Sequence, residues 1–143
     1  MSTRFWSRLV VGFAAAALIF VPGPPGALSQ VAAETEEDNA AGGRIFKRRC
    51  ASCHSIGRGV LVGPDLRDIH KRRDRAWLIR WIADPEGMAA SDPEAQKLLT
   101  EWKPVGIMPH FDLSEKEITQ VVAHLEKESA ERARKHSERN ESR

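Results

Sequence analysis

Both cysteines of the 143-residue chain lie in one five-residue segment, Cys50-Ala51-Ser52-Cys53-His54. Two thiols at this spacing can each add to one vinyl group of a haem, and the histidine that follows is then held under the iron as an axial ligand. The segment occurs once, so it predicts a single haem. Three other chemistries compete for the same residues. A zinc site needs two more good ligands, and there is no second cysteine pair. A redox-active dithiol would sit in a βαβ setting, and the chain has no convincing strand pattern. A disulfide across two intervening residues closes too short a loop to stabilise much.

The elements that must position these residues read as helices. Asp38 or Asn39 can cap a helix that runs to about Arg49, with Ala41, Ile45 and Phe46 apolar and Gly42 leaving room for another helix. Residues 56–68 read as a loop broken by Gly57, Gly59, Gly63 and Pro64. Asp74 can cap a helix over residues 75–83, which Asp84-Pro85 ends, because the residue before proline avoids helical geometry. Asp92-Pro93 opens another helix, whose apolar stripe is Ala95, Leu98, Leu99 and Trp102. Ser114 and Glu117 form a capping box for a last helix that buries Ile118, Val121, Val122 and Leu125. The charged residues 128–143 have no apolar face and are expected to be a disordered tail.

The first 33 residues look removable. Arg4 and Arg8 precede an apolar run over residues 9–21, a Pro/Gly-rich break and small residues that suit cleavage after Ser29 or Ala33. The run is about 13 residues, short of the about 20 that span a bilayer, so a cleaved export signal is expected in place of an anchor. Membrane association is expected only if the segment stays uncleaved. Residues 34–39 form an acidic, flexible lead-in, and residues 40–127 one small domain. Outside the first 33 residues there are 20 bases and 20 acids, a balance that offers no case for a nucleic-acid partner. The charges are nevertheless segregated. Eleven bases face three acids over residues 44–80, while ten acids face four lysines over residues 81–128. Two solvated faces of opposite sign would account for this, as would a basic surface near the motif that steers an acidic partner.

Taken in order, Gly42 and Phe46, the Cys50–His54 segment, Gly63-Pro64-Asp65-Leu66, Met108-Pro109 and a terminal amphipathic helix resemble the class I cytochrome c family. The resemblance covers roughly residues 40–127. It implies an all-α fold, a small helical bundle wrapped around one covalent haem c, with the first and last helices crossing at Gly42 and Phe46. It also implies that the Pro64 carbonyl accepts from the His54 ring and that Leu66 packs on the haem edge.

A thioether as second axial ligand raises the haem potential relative to a second histidine. Met108, directly before the last helix, falls where the family's ligand loop falls. Met88 suits gap-filling or a surface loop, and His70, His110 and His124 are the remaining rivals. The iron ligands expected are therefore His54 and Met108. Arg72, Arg73 and Trp77 could serve the haem propionates, with Trp81 and Trp102 as further indole donors. The expected function is a periplasmic one-electron carrier, not an enzyme, that shuttles between two redox proteins. A haem enzyme or gas sensor with a labile sixth ligand is the alternative.

Overall fold

The computed structural model describes residues 27–143. The apolar run over residues 9–21 lies outside the described residues. Six helices follow in order: α1 (Ala27–Arg49), α2 (Ile69–Arg72), α3 (Arg75–Ala83), α4 (Pro85–Ser91), α5 (Pro93–Glu101) and α6 (Glu115–Glu141). No strand occurs among the described residues, and none of their helices is long and apolar enough to cross a membrane.

The frame is the crossing of α1 and α6. At Gly42 the two backbones approach so closely that a methyl group would overlap the Gln120 carbonyl. Around this point Ile45, Phe46, Ile56, Val121 and Leu125 form one buried cluster. The adjacent face of α6 supplies Val122 to a second cluster with Trp77, Leu78, Met88 and Ala95. One helix therefore walls both halves of the core, and each fully buried aliphatic side chain contributes about 1.5–3 kcal/mol.

The capping signals act as the sequence suggests. Asp74 accepts from the Trp77 N–H, Asp92 from the Glu94 and Ala95 N–H groups, and Ser114 and Glu117 cap each other. Three expectations need correction. First, α1 begins at Ala27, well before Asp38, because nothing between Gly26 and Gly42 breaks a helix. The acidic segment 34–39 is thus helical and tied to α6: the Gln120 amide donates to Asp38 at 2.7 Å and Lys127 to Glu36 at 2.6 Å. Secondly, Asp84-Pro85 ends α3 and also opens α4, with Asp84 accepting from the Gly87 N–H and the proline at the first turn. Met88 is consequently a buried helical residue and not part of a surface loop.

Thirdly, residues 128–143 are not a disordered tail, since α6 continues to Glu141. Ser129 is fully buried, donates to the Leu125 carbonyl at 2.7 Å and accepts from the Asp68 N–H at 3.0 Å. The pairs Lys127–Glu131 and Glu128–Arg132 add i,i+4 support. Asp68 has a φ of 55°, in the left-handed region, and Ser129 holds its amide there. Ser129→Ala is expected to leave that amide unpaired and to lower stability by about 1–2 kcal/mol, read from denaturant unfolding.

Candidate functional site

The last turn of α1 runs directly into the cysteine segment. The N–H groups of Cys50 and Ala51 both donate to the Phe46 carbonyl, and those of Cys53 and His54 to the Cys50 carbonyl. Cys50 and Cys53 stand one turn apart, both half-buried and both free. Burial, and secondarily the neighbouring Cys53, pushes the Cys50 thiol up to about 11. That is opposite to the low pKa of a reactive redox dithiol. No group of three His, Cys, Asp or Glu side chains suited to a metal ion exists among the described residues.

The His54 ring is fixed by its surroundings. Its Nδ1–H donates to the Pro64 carbonyl at 2.8 Å, which leaves Nε2 as the nitrogen with a free lone pair. The ring lies against the Gly63 backbone, where an added Cβ would stand 2.5 Å from Cε1 and 2.9 Å from Nδ1. The Gly63 N–H in turn donates to the Cys53 carbonyl at 2.8 Å, closing the loop back on the motif. Leu66 and Cys50 both pack on the cluster around Phe46.

One residue of the site has a larger part than the sequence suggested. Asp65, which the sequence places in the loop over residues 56–68 with no role of its own, organises the whole loop. Its carboxylate accepts from the N–H groups of Gly57, Gly59 and Arg67 at 2.6–2.8 Å and lies 2.9 Å from the buried Ser55 hydroxyl. Partial burial works to raise its pKa, but these hydrogen bonds together outweigh it and hold the carboxyl down at about 2. The signal in the sequence was an acid flanked by glycines. Gly57 and Gly59 adopt φ of 74° and 94°, which turns their N–H groups inward.

A depressed carboxylate pKa stabilises the fold above the unfolded value and loses that effect as pH falls through the folded one. Asp65 therefore contributes stability that declines from 3.8 towards about 2. Asp65→Asn is expected to cost about 1–3 kcal/mol at neutral pH, after discounting for solvent screening. It should also flatten the acid limb of a stability–pH curve over that window.

Of the expected propionate donors, Arg72 is bound to the motif loop, donating to the Asp65 carbonyl at 2.9 Å. The structure gives the other two different partners. The Trp77 indole N–H donates to Asp92 at 3.3 Å, and Trp77 stacks on Trp81. Arg73 pairs with Glu94 at 3.1 Å and lies over the Trp77 ring. Both hold α3 against α5.

Met108 is half-buried in the loop between α5 and α6. Among its rivals, Met88 is committed to the core, and His110 is exposed and 3.3 Å from Asp112. His124 packs on Phe46 and Gly43, where burial lowers its pKa. His70 is half-buried on α2, with Nδ1 lacking a partner among the described residues.

These residues fit a covalent haem. Two free thiols sit one turn apart beside an imidazole whose orientation is fixed and whose Nε2 is available. Val60, Leu61, Val62, Val105 and Ile107, on the loops that carry Pro64 and Met108, are 37–62% exposed, an apolar surface that a flat macrocycle would cover. The cytochrome c family model matches residues 39–129, from within α1 to Ser129. The chain belongs to the cytochrome c family.

Solved structures of other cytochromes agree. A cytochrome c from Rhodothermus marinus is 25% identical, with a TM-score of 0.63 over 67% of this chain and 80% of its own. The cytochrome c domain of the pp3183 protein from Pseudomonas putida is 36% identical, with a TM-score of 0.56 over 62% of this chain and 88% of its own. No curated protein sequence matches the chain. As a cytochrome c, the protein binds one covalent haem c through the Cys50–His54 segment and is a haem-based electron carrier.

Proposed function

We propose that this cytochrome c is a one-electron carrier of the periplasm or another extracytoplasmic compartment, with iron ligated by His54 and Met108 and no enzymatic activity of its own. The observation that carries the reading is the His54 ring, held through Nδ1 by the Pro64 carbonyl at 2.8 Å with Nε2 left to coordinate. When bound, haem c supplies an iron that cycles between ferrous and ferric. The protein's own residues do the rest. Cys50 and Cys53 anchor the group, Pro64 fixes the orientation of the ligand ring, and the apolar loops keep water from the iron.

Support for Met108 is its half-buried place in the loop before α6, together with the engagement of Met88 in the core. A filled sixth position favours electron transfer over substrate chemistry. Export is supported by the basic start and apolar run of the first 33 residues. The basic flank over residues 44–80 suits redox partners with acidic docking faces.

A potentiometric titration of the holoprotein tests the reading. It should follow a one-electron curve, with no turnover of hydrogen peroxide and no rapid binding of carbon monoxide. Peroxide turnover, or fast stoichiometric binding of the gas, would instead favour a haem enzyme or sensor.

A further inference from the structure

The C-terminal part of α6 lies beyond residue 129, where the match to the family ends, so the family's shared features do not account for it. On this stretch Arg132, Lys135, His136 and Arg139 recur at i, i+3, i+4 and i+7, a single face of the helix. That face and Arg67, from the loop after Pro64, line a groove of about 460 Å³ with Gly57 also in its wall. A Cβ at Gly57 would stand 3.2 Å from the Arg132 stem and 3.3 Å from the Arg67 stem.

The groove has more positive charge than its acids balance. Arg132 reaches Glu128 at 3.3 Å and Arg67 reaches Asp68 at 3.5 Å. The Arg132 Nε is sealed from solvent without a hydrogen-bond partner among the described residues. Glu138 is the single acid in the lining, and the side chains of Lys135 and Arg139 have no ion-pair partner among the described residues. Like charges one turn apart destabilise a helix, so the arrangement gains from an anion that joins them.

We propose that this groove binds an acidic polypeptide segment of a partner protein. The four-residue stripe spans about 10 Å along the helix. An extended chain places alternate side chains about 7 Å apart, so two carboxylates on one side of it can meet guanidinium or ammonium groups from successive turns. The guanidinium forks of Arg67, Arg132 and Arg139 suit planar carboxylates, and the groove they line is open to solvent. The site is separate from the haem ligands, so it stands whether or not Met108 ligates iron.

The test is fluorescence anisotropy of a labelled short polyglutamate peptide titrated with the full-length holoprotein at low ionic strength. Binding is expected for polyglutamate and not for polyglutamine, and it should weaken as salt is added. Lys135→Gln with Arg139→Gln, both exposed, should weaken binding about tenfold or more while leaving the unfolding midpoint unchanged. Lys97→Gln with Lys103→Gln, the same charge change elsewhere, should weaken it less than about twofold. Equal loss in the two pairs would show diffuse attraction only and overturn the proposal. So would an unchanged affinity in the groove variant, or binding to phosphatidylglycerol vesicles without binding to the peptide.

Discussion

Gly42→Ala is expected to destabilise the protein by about 3 kcal/mol, although alanine is the better helix former by about 1 kcal/mol. The reason is the identity of the atoms it meets. The new methyl would overlap the carbonyl of Gln120 and crowd the amide of Val121, both backbone atoms of α6. Neither can rotate away, so α1 and α6 must separate at their crossing. That separation would loosen Phe46, Val121 and Leu125, the cluster on which Cys50 and Leu66 rest. Gly43 provides the comparison, since a methyl there meets only the His124 ring at 3.0 Å, a side chain free to shift. Gly43→Ala should therefore be within about 1 kcal/mol of the parent. Chemical denaturation of the three holoproteins checks the contrast, and equal effects at the two glycines would sink the explanation.

The second large effect is expected at Gly63. Gly63→Val places branched carbons where the His54 ring lies, 2.5 Å from Cε1 at the first atom alone. The ring must swing off the Pro64 carbonyl, losing the bond that orients it. Loss of such a supporting contact weakens ligation by about 10–100-fold. The low-spin optical spectrum of the holoprotein should be lost in part or in full at neutral pH. An unchanged spectrum would mean that the ring does not depend on the Gly63 surface.

Much of this was legible because the signals are local. The capping box at Ser114 and Glu117, the Asp92-Pro93 start and the thiol spacing each work within four residues, and each appears in the structure. The Pro64 acceptor came from the family resemblance, and the hydrogen bond is present. What escaped the sequence depends on partners distant in the chain or on signals with two meanings. Asp84-Pro85 reads as a stop, but a proline that ends one helix can also open the next, and α4 follows. Ser129 looks like the start of a polar tail until the Asp68 amide, 61 residues earlier, is seen to bond its hydroxyl. Trp77 has an N–H that any acceptor could use, and only the packing of α3 beside α5 shows that Asp92 takes it. Asp65 sits in a glycine-rich loop whose composition indicates turns without indicating their centre.

The proposed ligation by Met108 would make the site a six-coordinate carrier, and the ferric optical spectrum tests it most directly. A ferric iron–thioether bond gives a weak long-wavelength charge-transfer band, which the parent holoprotein should show. Met108→Ala should abolish the band. Met88→Ala should keep it, while losing about 2–4 kcal/mol of stability from the cavity left in the core. Persistence of the band in Met108→Ala together with its loss in Met88→Ala would contradict the account.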